Sequence, residues 1–206
     1  MGRATGSREA AAETTRRAIV SAASELFFER GYHGAGIDEI AAAAGVAVQT
    51  IYNSIGSKRE LLVRVLDYAA SGERAPTPVG EIARERVAAI DDPRALLAAV
   101  VSVARGNFER TIPVFRVIRE AAAVDPALAD LERDRSRQRL ANFRHPVERL
   151  AELGALRPGV TVDDGAALVF TVVHPDRYRF FVDDAGWATQ RWEEWATAAL
   201  VSALLA

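Results

Sequence analysis

Glycines in this chain stand where helices have to stop. From about Arg8 to Arg30 the apolar residues Ile19, Ala23, Leu26 and Phe27 recur at i, i+4, i+7 and i+8, one face of an amphipathic helix. Gly31 follows as a left-handed terminator. A short segment, Ile37 to Ala44, stops at Gly45, and a second, Val48 to Ser54, stops before Gly56. Ser57-Lys58-Arg59-Glu60 then has the form of a capping box, in which serine accepts the Glu60 amide and Glu60 reaches back to the serine amide. The helix it starts carries Leu61, Leu62, Val65, Leu66 and Ala69 to about Gly72.

Ala75-Pro76-Thr77-Pro78 is the clearest break. Beyond it, Asp92-Pro93 predicts a helix to about Arg110, and Thr111 predicts a cap for a shorter one through Ala123. Asp125-Pro126 predicts a long helix to Leu153, ended by Gly154. Thr161 to Asp164 predicts a start for a helix to about Val173, which Pro175 interrupts before a turn or two to Asp183. Thr189 is the expected cap of the last helix, with Trp192, Trp195, Leu200 and Leu204. Alanine, the strongest helix former, fills 40 of 206 positions, and no segment alternates as a strand would. The expectation is an all-α chain of nine or ten helices.

Cysteine is absent, which excludes disulfides, iron–sulfur clusters, thiolate zinc sites and cysteine nucleophiles. His33, His145 and His174 match no metal spacing, so neither a metal nor a cofactor is expected. No apolar run reaches the roughly 18 residues that span a bilayer, and Met1 to Arg8 lacks the apolar core of a signal peptide. A cytoplasmic protein without a membrane partner is the expectation. Of 26 basic residues, Lys58 is the only lysine.

Residues 36–55 carry the most chemistry. Two short helices separated by Ala44-Gly45-Val46 have the spacing of a helix-turn-helix, whose second helix reads the major groove. That helix offers Val48 to a thymine methyl and Gln49 to adenine, with Thr50, Tyr52 and Asn53 able to donate to phosphates. Lys58 sits in the first turn of the next helix, where its charge opposes the dipole and a phosphate would relieve the conflict.

These motifs, Ala22-Ala23-x-x-Leu26-Phe27, Arg30-Gly31-Tyr32, Ile37 to Ala41, Ala44-Gly45-Val46, Thr50-Ile51-Tyr52 and Ser57-Lys58-x-x-Leu61-Leu62, resemble the N-terminal domain of TetR-family (TetR/AcrR-type) transcriptional regulators. The tail, with Pro175-Asp176-x-Tyr178-Arg179-x-Phe181, Gly186-Trp187 and Trp192-x-x-Trp195, resembles a subset of that family. The resemblance implies a three-helix DNA-binding domain over residues 1–56, with its recognition helix at about 47–54, and a helical ligand-binding and dimerisation domain over 57–206. It implies phosphate contacts from Tyr52 and Lys58, with Val48, Gln49 and Thr50 facing bases or backbone. Gly36 and Ala47 stand where the family usually has a hydroxylated cap residue. Residues 1–60 carry seven basic and seven acidic side chains, so sequence-independent attraction to DNA should be modest.

The implied function is a homodimeric transcriptional regulator, a repressor in the expected mode and not an enzyme. It would bind a near-palindromic double-stranded operator and be released by a small-molecule effector. An all-α enzyme and a protein-interaction module using the same scaffold are the alternatives. On the long helix after Pro126, the apolar stripe projects Arg135, Gln138 and Asn142 inward, either as a polar cavity wall or as a solvated face. Phe108, Phe115, Arg116 and Arg119 would supply more of such a cavity, with Phe143, Phe170 and His174. The C-terminal aromatics either close the core or meet a second copy. Val169, Val173, Tyr178, Phe181, Trp192 and Trp195 are the candidate interface residues.

Overall fold

The computed structural model describes residues 2–206, with side chains from residue 9. Its first helix, α1 (Gly2–Gly34), leaves helical backbone at Gly31, where φ is 71° and ψ 173°, so the amphipathic segment ends as the sequence predicts. α2 (Ile37–Ala43), α3 (Val48–Ser54) and α4 (Lys58–Ser71) follow. After a 3-10 turn at Gly72–Arg74 come α5 (Val79–Ala88), α6 (Pro93–Ala122), α7 (Pro126–Asn142) and α8 (Arg144–Glu152). α9 (Val162–Val172), α10 (Pro175–Arg179), a π turn at Phe180–Asp184 and α11 (Thr189–Leu204) complete the chain. Among the described residues the only β pairing is an isolated bridge between Leu156 and Leu205.

Packing divides the chain into two compact units. The first runs to Ala69 and adds Pro113–Glu132; the second holds Ala70–Ile112 and Arg133–Ala206. Ile19, Ala23, Phe27, Ile40, Ile51, Leu61, Leu62 and Ile118 are fully buried in the core of the first. Leu96, Leu97, Val101, Val147, Leu150, Trp192 and Leu200 are fully buried in the core of the second. The sequence division after residue 56 therefore cuts through a packed core, since α4 belongs with α1 to α3.

Four local expectations are corrected. Thr111 does not cap a helix: its hydroxyl donates back to the Asn107 carbonyl at 2.9 Å, and α6 continues through Pro113. Burial of Phe108, Val114, Phe115 and Ile118 along one stripe holds the helix across the proline. The long helix predicted to Leu153 instead breaks at Phe143, because Pro146 has no amide to offer the Asn142 carbonyl. α5, with Val79, Ala83 and Val87 on one face, was not anticipated behind the Pro78 break. Finally, the cap of α11 is Ala188, without a side-chain bond, and Thr189 is its first helical residue. By contrast, Thr161 does cap α9, accepting the Asp164 amide at 3.1 Å.

Candidate nucleic-acid interface

The turn between α2 and α3 is built from backbone bonds. Gly45 takes φ 68°, a conformation that a Cβ disfavours, and its amide donates to the Ala42 carbonyl at 3.2 Å. The Val46 amide donates to the Ala41 carbonyl at 3.0 Å, closing the helix end. Ala47 is extended (φ −72°, ψ 148°) and caps α3 without a side-chain bond. Gly36 likewise caps α2 with no side chain; its amide donates to Glu39 Oε2 at 3.0 Å, half of a capping box. That bond, and Arg30 donating to Glu39 Oε1 at 2.7 Å, hold the Glu39 carboxyl below its usual range.

One face of α3 is anchored and the other is open. Ile51 is fully buried, Val48 and Thr50 are half-buried, and Gln49, Tyr52 and Asn53 are exposed, Tyr52 to 49%. Gln49 donates from Nε2 to Asn53 Oδ1 at 2.9 Å, so the two amide side chains lie together along the open face.

α4 begins where the sequence places it. The Ser57 amide donates to Glu60 Oε2 at 2.7 Å, and the Glu60 amide donates to Ser57 Oγ at 3.3 Å. These serine contacts hold the Glu60 carboxyl below its usual range. Lys58, the first residue of α4, lays its ammonium 4.9 Å from the centre of the Tyr32 ring. Burial lowers its pKa, and the Glu39 charge opposes that shift. Among the described residues no ion pair neutralises Lys58. Tyr32 is the supporting residue that sequence reasoning missed: it lies far from Lys58 in the chain, and no local pattern links them.

A second candidate site lies wholly in the second unit. A cavity of about 90 Å³ is bounded by α5, α6, α7 and the start of α8. Of the predicted ligand residues, Phe108, Asn142 and Phe143 line it. The others do not. Phe115 is in the core of the first unit, and Arg116 and Arg119 are exposed there, Arg119 facing Glu132 at 3.5 Å. Arg135 donates to Gln138 at 3.0 Å along α7, because the helix break at Phe143 brings only the last residues of the stripe to the cavity. His174 Nδ1 accepts the Asp176 amide at 3.2 Å and caps α10, with Phe170 against its ring at 5.2 Å. Gly80, Arg84 and His145 line the cavity without having been anticipated, being on helices whose pattern gave no sign of them.

The candidate interface residues also separate. Val169, Val173 and Trp192 are fully buried and Tyr178 is 5% exposed, all within the chain's own core, so they present no surface to a second copy. Phe181 and Trp195 are half-buried, with ring centres 4.6 Å apart. Leu168 and Phe180 are the exposed large apolar residues of this region.

Residues 19–65 match the family model of the bacterial regulatory proteins of the tetR family. Over 63 residues the chain is 48% identical to the HTH-type transcriptional activator FasR of Mycolicibacterium smegmatis, a stretch covering 29% of each protein. Over nearly its whole length the chain has the fold of solved regulators. A TetR transcriptional regulator from Chloroflexus aurantiacus aligns at TM-score 0.67 and 23% identity, over 95% of this chain and 98% of that one. SmeT, solved as its triclosan complex, aligns at TM-score 0.70 and 20% identity, over 93% and 92%.

Proposed function

We propose, from the match of residues 19–65 to the tetR family of bacterial regulatory proteins, that this chain is a regulator of that family acting as a homodimeric repressor. Each copy places α3 in a major groove of a near-palindromic operator. The observation that carries this reading is the division of α3. Ile51 fixes the helix to the core, while Gln49, Tyr52 and Asn53 stand open on the same short helix that leads into Lys58, which makes no ion pair among the described residues. Gln49 is suited to adenine, and Tyr52 and Lys58 to phosphates on either side.

The cavity of the second unit is the effector site in this reading. An effector that favours the state unable to bind operator lowers DNA affinity, and operator then lowers effector affinity by the same factor. SmeT is described in complex with triclosan, which supports small-molecule binding by this fold. In this reading operator position, not the chemistry of the domain, sets the sign of regulation; FasR, similar over 63 residues, is named an activator.

Selection of bound duplexes from a random library at moderate salt tests the reading. An inverted repeat with two half-sites is the expected result. A folded dimer that enriches no sequence contradicts it.

A further inference from the structure

We infer that the cavity takes a small carboxylate with a short apolar body, its oxygens held by Arg84 and Asn142. This rests on the effector reading above and specifies its ligand.

The walls are mostly aliphatic and aromatic: Val79, Val87, Val100, Val103, Phe108 and Phe143. Five polar side chains join them, Arg84, Asn107, Arg139, Asn142 and His145, and none is acidic. Two are engaged elsewhere. Asn107 donates to the Ala70 carbonyl at 3.0 Å, and Arg139 lies 6.0 Å from the Phe170 ring and donates to Ser136.

Arg84 is held but not neutralised. Its terminal nitrogen lies 2.7 Å from His145 Nε2. A guanidinium has no acceptor, so Nε2 accepts in this pair, and the other ring nitrogen, Nδ1, faces Glu148 Oε2 at 3.3 Å. Glu148 therefore orients His145, which orients Arg84, and the remaining guanidinium donors have no carboxylate partner among the described residues.

The Asn142 carboxamide makes no hydrogen bond to the described residues. It lies on Gly80, where a Cβ would come within 2.7 Å of its Oδ1, so the glycine is what lets it settle there. A cation and a carboxamide with open donors thus share one cavity whose walls are mostly apolar. A carboxylate accepts only, and matches the guanidinium fork; an alcohol or amide lacks the charge. Size limits the body. An apolar cavity of about 150 Å³ holds benzene, so one of about 90 Å³ suits a smaller chain. Inorganic phosphate shares the acceptor chemistry but offers nothing to the apolar walls.

The test is calorimetric titration of the full chain, without DNA, using isobutyrate, isobutyramide and inorganic phosphate. Isobutyrate is expected to bind about tenfold or more tightly than either of the others. Arg84→Gln, at an exposed position, should remove that advantage. Gly80→Ala should weaken isobutyrate several-fold by displacing Asn142 while leaving the helix intact. Equal binding of the amide or of phosphate overturns the inference, as does undiminished binding by Arg84→Gln. So does the absence of heat across acetate to hexanoate. Because no duplex is present, failure here leaves the DNA reading standing, and failure to select an operator leaves this result standing.

Discussion

Tyr178 shows how one polar group is accommodated in the apolar core of the second unit. Burial pushes its hydroxyl up to about 12, and the nearby Glu109 charge and a 3.4 Å bond to that carboxylate add to the shift. Because the folded value is the higher, the stabilisation is fully present below the unfolded value near 10. It is lost as pH rises through about 12. The unfolding free energy read from urea titrations should therefore fall between these limits by an amount on the order of 2 kcal/mol, and Tyr178→Phe should remove most of that fall. On the open face of α3 the residue-scale expectation differs in kind. Gln49 is exposed, and among the described residues its side chain bonds only to Asn53. Gln49→Ala should leave stability within about 0.5 kcal/mol yet cost about 1–3 kcal/mol at one operator base pair, read by binding to base-substituted duplexes. The placement of Gln49 and Tyr52 on the open face of α3, and of Lys58 at the start of α4, was legible in the sequence because the motif residues around them fix their positions. Arg84 and His145 were not, because their pairing joins two helices that no local pattern connects.

The short helices of the first unit differ in how they are capped, and that difference is measurable. α4 has a full reciprocal box, whereas α3 begins at an extended Ala47 with no side-chain acceptor, the Thr50 amide turning back to the Ala47 carbonyl at 2.8 Å instead. Ala47→Ser should raise stability by roughly 1 kcal/mol and Ser57→Ala should lower it by about as much, both read from denaturant midpoints. Such boundaries were legible wherever glycine or a hydroxyl cap stood behind a periodic run, as at Gly31, Gly45 and Thr161. They were misread where proline had to be weighed against burial. Pro113 lies inside a helix that its buried stripe sustains, and Pro146 divides one that the sequence pattern carries through. Local composition does not distinguish the two cases; packing does.

At the scale of the whole chain, the all-α class was legible from periodicity and alanine content. The two units were not, because α6 and α7 each give residues to both, and a division by position along the chain cannot express that. The burial of Val169, Val173, Tyr178 and Trp192 escaped the sequence for a related reason: an aromatic cluster reads the same whether it closes a core or meets a partner. Reciprocal coupling gives a further expectation, that saturating operator weakens the cavity's ligand by the factor by which that ligand weakens operator. Paired titrations check it. The most direct measurement of the central claim is the salt dependence of operator binding by the protein and by Lys58→Ala, with circular dichroism confirming the fold. Two Lys58 ammoniums on phosphates per dimer predict weaker binding and a log–log slope shallower by roughly 2. A folded variant with unchanged affinity and slope would mean that this surface does not hold DNA.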